Sequence, residues 1–277
     1  MFQTANADGP AFTMTNQPQT TGADLMQELH ALFERGRLLS KDSEAAVYLA
    51  DRIQKLAGAS EQEALYLLGV WHALCGDVEG AVSSLTASGV SQEQQEFQIL
   101  CTYSNLGYAT HGLNTYPKVG SPITGWFTRS VVAGMSVGAI RTIGRFISQA
   151  DTMHLTNMEG VPVDLLRTAE KILEEAGTED EAIARVLNVA GAVVREYGLV
   201  HVGEVKLDAS EAAHCVKLRY RYAISPQQAV WLYNEFLDRL YDEEVTFPPA
   251  FIVAFEGQDG AAQGRTENNA KSSEIRI

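Results

Sequence analysis

The stretch ALYLLGVWHALCGDVEGAVSSLTAS, residues 64–88, indicates the architecture of the chain more clearly than any other segment. Ser60 and Glu63 precede it in the pattern of a capping box, in which a hydroxyl and a carboxylate each bond the backbone at a helix start. A helix is therefore predicted from this cap to about Cys75. Upstream, apolar residues recur at helical spacing through residues 23–57 and predict two more helices, broken near residues 40–43.

The same stretch resembles a tetratricopeptide repeat, which is a helical hairpin of about 34 residues. The matching residues are those of the small-residue contact in the first helix, the tight turn and the packing positions of the second helix: Leu68-Gly69, Gly76-Asp77, Ala81 and Leu85. The segment departs from the family pattern at His72, where an aromatic residue is usual, and at Ser88, where alanine is usual.

A second unit is predicted about 31 residues further on, from a capping pattern at Ser91 to Gln94. Tyr103 and Gly107 fall near places that correspond to the first unit. Helical repeats are stable when neighbours bury each other's apolar faces, so residues 23–116 are predicted to hold two or three such units. An irregular helical bundle that contains one coincidental match is the alternative.

The resemblance implies a concave groove that receives a peptide or a partner helix. Tyr66, His72 and Tyr103 are the residues predicted to line it. For His72 the sequence also allows a structural role within the helical core.

Residues 97–150 contain no acidic side chain, although the chain as a whole is acidic. Within them the apolar segment from Trp126 to Ile147 predicts a helix. Its uncharged run from Ser130 to Ile140 would be about 16 Å long, roughly half of a bilayer core, so it is too short to span a membrane. A buried central helix, a helix that docks on a membrane surface and a helix that meets a partner across its glycines remain open.

Two further helices are predicted before residue 199, the second of them beginning at a capping box formed by Thr178 and Glu181. Beyond Gly198 the apolar period changes from 3.6 to 2, which is typical of strands. The segments LVHVGEVKLD, residues 199–208, and CVKLRYRYAI, residues 215–224, both alternate and are predicted to pair as a hairpin.

The second strand places Lys217, Arg219 and Arg221 on one face. One interpretation pairs this basic row with Glu204 and Asp208 of the preceding strand. The functional alternative is that the row binds an acidic surface, either of this protein or of a partner.

Ser225 and Pro226 predict the start of a helix, and residues 251–255 predict a buried strand. The helix is expected to carry its large apolar residues on one side: Val230, Trp231, Tyr233, Leu237, Leu240 and Tyr241. The predicted fold class is therefore mostly α, with a helical hairpin or bundle domain at residues 23–198 and a small α+β domain of β-β-α-β order at 199–257. A disordered arm at 1–22 and a disordered tail at 258–277 complete the predicted organisation.

The composition of the chain limits the classes of partner that it is expected to bind. The formal net charge of -14 argues against nucleic acid, which is bound through clusters of Lys and Arg. The three cysteines lie far apart without metal-ligand spacing, and a reducing cytoplasm fits them best. No phosphate-binding loop, dinucleotide motif or hydrolase motif is present, so neither a catalytic centre, a cofactor nor a metal site is predicted.

The sequence thus favours a non-enzymatic protein–protein interaction module, such as an adaptor, a chaperone or an immunity-type binder, whose partner is a protein or a peptide. Self-association into a homo-oligomer is left open. One alternative is an enzyme with its site at the junction of the two domains, using His201, Glu204 or Arg219. Another is a membrane-docking protein that acts through residues 126–147.

Overall fold

In a computed structural model of the chain, residues 21–155, 158–202 and 205–257 are described. The predicted arm and tail fall outside these ranges, apart from residues 21 and 22, where the first helix already begins. The helices are α1 (Gly22–Phe33), α2 (Glu44–Ala57), α3 (Glu61–Leu74), α4 (Val78–Ala87), α5 (Gln92–Asn105), α6 (Ala109–Val119), α7 (Phe127–Ser136), α8 (Ile140–Thr152), α9 (Val163–Glu175), α10 (Asp180–Glu196) and α11 (Pro226–Asp242). The strands are β1 (Lys206–Ser210), β2 (Cys215–Tyr222) and β3 (Phe251–Gly257).

Helices α3 to α6 form two consecutive helical hairpins, α3–α4 and α5–α6, and α4 packs against α5. The hydroxyls of Ser60 and Ser91 cap the first helix of each hairpin by accepting a backbone N–H. These caps are 31 residues apart, as are the turn glycines Gly76 and Gly107, which both have positive φ. The two hairpins therefore have first helices and turns of the same length.

Close packing inside the first hairpin depends on a glycine. A Cβ atom on Gly69 would lie 2.7 Å from Cγ of Leu85 and 3.3 Å from the carbonyl oxygen of Ala81. Real Cβ contacts of 2.7 Å do not occur, so the absence of a side chain lets α3 approach α4. These three residues are the ones that match the packing positions of the tetratricopeptide pattern.

The segment from Trp126 to Ile147 is not one helix, so that prediction is wrong. It forms α7 and α8, which are separated at residues 137–139, where Gly138 has a φ of 84°. A Cβ atom on Gly138 would lie 2.6 Å from Cγ2 of Ile183, so this turn also lies directly against α10. Most of the apolar side chains of both helices are buried, as expected of a segment at the centre of the core.

The start of α10 also differs from the prediction. The Thr178 hydroxyl donates to the carbonyl oxygen of Pro249 at 2.6 Å, and Glu179 is the N-cap residue. The carboxylate of Asp180 accepts hydrogen bonds from the backbone N–H groups of Arg141 and Thr142, each at 2.9 Å. It thereby caps α8 from a distant helix, and its burial raises the pKa of this carboxyl.

The three strands form a mixed sheet in the order β1-β2-β3. Strands β1 and β2 are antiparallel, with Leu207 opposite Leu218, which confirms the predicted pairing. The first strand begins at Lys206 rather than at residue 199, so its predicted start is wrong. Strand β3 lies parallel to β2, with Val253 beside Leu218, and α11 makes the connection between them. The predicted β-β-α-β order and the fold class, mostly α with a small α+β part, are confirmed.

One hydrophobic core extends from α5 to β3, and a smaller one joins α1, α2 and α3. Leu187 and Val194 of α10 belong to the same core as Leu218 and Tyr220 of β2. The inner face of the sheet packs against α9, and α11 packs against β3 and α10. The predicted boundary between residues 198 and 199 therefore falls within a shared core, and the division into two domains stays a prediction.

Candidate functional site

His72, one of the three predicted groove residues, belongs to the turn of its own hairpin. Its Nδ1 lies 2.8 Å from Oδ2 of Asp77. The same carboxylate accepts hydrogen bonds from Nζ of Lys41 at 2.7 Å and from the backbone N–H of Gly80 at 2.9 Å. The bond from Lys41 is the main cause that lowers the pKa of Asp77 to about 2. His72 therefore connects the end of α3 to the start of α4.

Tyr103 occupies the position in the second hairpin that corresponds to His72, but it contacts a different partner. It follows His72 by 31 residues, and its ring centroid lies 5.4 Å from that of His111, which follows Gly80 by the same interval. Tyr66 is half-buried on α3, where burial raises the pKa of its phenol. Within the described residues, no hydrogen bond or ring contact joins these three predicted residues to one another.

The junction between the helices and the sheet contains a small cavity. Its polar lining comes from α5, α7, β2 and the segment before β1, through Ser104, Asn105, Ser136, His201, Tyr220 and Tyr222. The cavity volume is about 20 Å³, which gives room for about one water molecule. A substrate does not fit into this space.

His201 and the two tyrosines are held firmly in this cavity wall. The backbone N–H of His201 donates to the carbonyl oxygen of Asn105 at 2.9 Å, and its ring lies edge-on to those of Tyr220 and Tyr222. The Tyr220 hydroxyl donates to the carbonyl oxygen of Ser136 at 2.8 Å. Burial raises the pKa of both phenols, so both remain protonated.

Arg219, which the enzyme alternative placed with His201, lies on the opposite face of β2. Its guanidinium donates to Glu256 at 2.9 Å and to Asp208 at 3.0 Å, so it bridges all three strands. The predicted pairing with Asp208 is confirmed, whereas the predicted partner Glu204 lies outside the described residues. Glu256 of β3 is a partner that the sequence interpretation missed.

Arg221 lies 3.4 Å from the second carboxylate oxygen of Glu256. Lys217 is half-exposed, and its register partner on β1 is Asp208, which Arg219 already binds. Two of the three basic side chains are thus neutralised within the sheet. A role of this row in binding an acidic partner stays a prediction.

Helix α11 has both a buried and an exposed apolar stripe, whereas the sequence indicated one apolar side. Ala229, Leu232, Phe236 and Leu240 face the core and are buried. Four other large apolar side chains point to solvent and form what we term the outer face of α11: Val230, Trp231, Leu237 and Tyr241. Val230 is 63% exposed and Tyr241 is 85% exposed, so these two residues of the predicted apolar side face solvent, whereas Leu240 of the same predicted side is buried.

Acidic residues lie along one side of the outer face, since Glu235, Asp238 and Asp242 follow Trp231 at helical spacing. The exposed carboxylates on or just after the helix are Glu235, Asp238, Asp242, Glu243 and Glu244. The basic residue within α11 is Arg239, which donates to both carboxylate oxygens of Glu196, at 3.1 and 2.7 Å. Because this cation is already paired, the surroundings of the outer face have a negative charge.

A signal for the outer face was present in the sequence. Residues 229–233 read AVWLY, and neighbouring helical residues point about 100° apart, so five consecutive apolar residues cannot share one narrow stripe. The seven-residue interval between Val230 and Leu237 indicates a second stripe beside the one that contains Phe236.

Residues 126–147 offer little apolar surface, because Val131, Ile140, Ile143 and Ile147 are buried in the core. Trp126 is half-buried, and its ring stacks on Phe97 with a centroid distance of 4.5 Å. Among the described residues, every helix falls short of the length and apolarity that a membrane crossing requires. A search of the same residues for clusters of His, Cys, Asp and Glu that could hold a metal ion finds none.

No protein-family model matches the sequence, and comparisons with curated proteins and with solved structures find no match either.

Proposed function

We propose that the protein is a non-enzymatic, cytoplasmic module that binds another protein, as an adaptor, a chaperone or an immunity-type binder does. The observation that carries this proposal is the outer face of α11. Four large apolar side chains lie together on an exposed helix that is fixed to the core by its other side. Contiguous exposed apolar surface on a folded domain is typical of an interaction site.

Two further observations support binding rather than catalysis. The junction cavity has room for about one water molecule, and both phenols on its wall, those of Tyr220 and Tyr222, stay protonated. The two hairpins α3–α4 and α5–α6, whose first helices have the same length, supply a second candidate surface near Tyr103. A groove at this place is the form that the tetratricopeptide resemblance implies.

Site-specific photo-cross-linking in an extract of the source cells tests the proposal. A photoreactive phenylalanine analogue replaces Tyr241 in one variant, Tyr103 in a second and Tyr48 in a control. Tyr48 is 58% exposed on α2, which makes it a suitable control for an exposed tyrosine. We expect one discrete protein adduct from position 241 or position 103 and none from position 48.

Absence of a specific adduct at both test positions would contradict the proposal. Native mass spectrometry of the purified chain provides the opposing measurement. A small molecule that is retained in stoichiometric amount would favour the enzyme alternative instead.

A further inference from the structure

We infer that the outer face of α11 binds an amphipathic helix of a partner protein whose apolar side is flanked by lysine or arginine. This inference rests on the proposed function and specifies the chemistry of the partner. It is carried by the spacing of the exposed apolar residues and by the sign of the charge around them.

The spacing favours a helix as the partner element. Val230, Leu237 and Tyr241 are separated by seven and four residues, so they follow one line along α11. The line extends over about three turns, or roughly 17 Å. A convex row of side chains with this spacing fits between the side-chain rows of a second helix, as in ordinary helix–helix packing.

Trp231 widens the stripe and is held in place before binding. Its ring centroid lies 5.0 Å from that of Tyr197, at the end of α10. Gln228 beside it donates to the Tyr197 hydroxyl at 3.4 Å. A large side chain that is already ordered loses little conformational entropy when a partner covers it, which is a property of binding anchors.

The charge favours a basic partner. Five exposed carboxylates lie on α11 and the two residues that follow it, whereas Arg239 is occupied by Glu196 and lies 3.8 Å from Glu243. Lysine or arginine beside an incoming apolar stripe would meet these carboxylates at the rim on the Trp231 side of the outer face. Such complementary charge speeds association and selects among partners.

The same charge argues against a second copy of this chain. In a symmetric dimer through the outer face, both copies would bring the same acidic residues, among them Asp238 and Asp242, to the interface. Like charges placed together at an interface are unfavourable. The formal net charge of -14 adds a general repulsion between copies.

Designed peptides test the inference directly. The probe is a fluorescent helical peptide of roughly 18 residues, with leucines along one side and lysines elsewhere. Two controls separate shape from charge: a peptide in which glutamate replaces every lysine, and a scrambled peptide that keeps the lysines but has no apolar side. Fluorescence anisotropy gives the affinity of the full chain for each peptide.

Substitution then locates the binding site. Val230→Ser with Tyr241→Ser removes the two most exposed residues of the outer face. Val47→Ser with Tyr48→Ser on α2 is the matched control, since these residues are 57% and 58% exposed. We expect the outer-face variant to lower the affinity for the basic amphipathic peptide about tenfold or more. The α2 variant should leave the affinity unchanged.

Trp231 provides an independent readout. It is 46% exposed, whereas Trp71 is 9% exposed, so coverage of α11 should shift the tryptophan emission to shorter wavelength. The shift should disappear in Trp231→Phe, while binding by anisotropy persists. Reversing the rim charge with Asp238→Lys and Asp242→Lys should lower the affinity for the basic peptide and raise the affinity for the acidic one.

Two results with the peptides would overturn the inference: equal affinity for the scrambled and the amphipathic basic peptides, or a preference for the acidic peptide. Two results with the variants would do the same: equal affinity of the outer-face and α2 variants for the basic amphipathic peptide, or dimerisation of the chain that the outer-face variant abolishes. Stronger peptide binding after removal of residues 258–277 would identify the chain's own terminal segment as the occupant and would also overturn it. The proposed function can survive this failure. A protein adduct at position 241 without any preference for basic peptides would leave the function standing and reject the basic partner.

Discussion

Helices α10 and α11 are neighbours of the same length, 17 residues each, but the protein uses their apolar residues differently. Helix α10 has ten buried residues and packs against α6, α8 and α11. Helix α11 has four buried residues in one stripe and a second apolar stripe exposed to solvent. Apolar content therefore indicates which residues can be buried, whereas the arrangement of neighbouring elements decides which of them are.

Substitution on the inner side of α11 should have the largest effect on the stability of the protein. Phe236 is fully buried, and its ring contacts those of Tyr233, Phe247 and Phe255. We expect Phe236→Ala to lower the free energy of unfolding by about 3 to 5 kcal/mol, because it removes a large buried ring and leaves a cavity. Urea denaturation followed by circular dichroism measures the change. A loss below about 1 kcal/mol would mean that this side of α11 is not part of the core.

The tight packing of α10 gives the second test. A Cβ atom on Gly191 would lie 2.0 Å from the carbonyl oxygen of Gly107, and neither backbone can move aside easily. Gly191→Ala should therefore cost about 3 kcal/mol in unfolding free energy.

Gly58→Ala is the control for Gly191, because its Cβ would lie 3.6 Å from the nearest atom, the carbonyl oxygen of Lys55. It should change the stability by less than about 1 kcal/mol. Equal effects of the two substitutions would show that α10 is packed no more tightly than the end of α2.

The link from α10 to α8 should give a smaller effect. Asp180→Ala leaves two backbone N–H groups at the start of α8 without their acceptor, which we expect to cost about 2 kcal/mol. Glu181→Ala, at the exposed neighbouring position, should have little effect. Thermal and urea unfolding of both variants measure the difference, and equal losses would contradict the cross-helix cap.

The ion pair between α10 and α11 should contribute less to the stability of the protein than the link from α10 to α8. The hydrogen bond from Arg239 holds the pKa of Glu196 below its usual value, so the folded state favours the carboxylate. Glu196→Gln should lower the unfolding free energy by less than about 1 kcal/mol near neutral pH.

This contribution depends on pH in a definite direction. A group whose pKa is lowered in the folded state stabilises the protein fully above its ordinary pKa, and this stabilisation is lost as the pH falls from there through the lower pKa of the folded state. The difference between wild type and Glu196→Gln should therefore stay nearly constant from neutral pH down to about 4.5 and shrink below it. Glu235→Gln, on an exposed position of α11, is the control. A difference that grows on acidification would contradict the assignment.

The outer side of α11 should show the smallest effect on stability. Tyr241→Ala should change the unfolding free energy by no more than about 0.5 kcal/mol, because the side chain is 85% exposed. Urea denaturation of Tyr241→Ala and Phe236→Ala under the same conditions compares their unfolding free energies directly. If both substitutions cost the same, the two sides of α11 would not differ as described.

Local patterns in the sequence predicted much of the fold. Hydroxyl residues before helical segments located the starts of α3, α5 and α11, since capping depends on residues a few positions apart. The alternation after Gly198 located the hairpin of β1 and β2 for the same reason. Each of these features is determined within a short segment of chain.

The features that the sequence did not predict depend on distant residues. The break between α7 and α8 places Gly138 against Ile183. The Thr178 hydroxyl donates to the carbonyl oxygen of Pro249 and does not form the predicted cap. The outer face of α11 is exposed because no described element covers it, although its residues resemble those on the buried side. Local spacing contains no information about which elements will be neighbours.

The position of β3 has a consequence for synthesis of the chain. Strand β2 is the middle strand of the sheet, but its partner β3 follows it only after α11. In a nascent chain that has emerged only as far as residue 250, one edge of β2 is unpaired. The inner side of α11 is then not yet covered by Phe251, Val253 and Phe255. Final closure of the larger core must therefore wait until residues 251–257 have left the ribosome, and a chain stalled before that point should bind chaperones that recognise apolar segments.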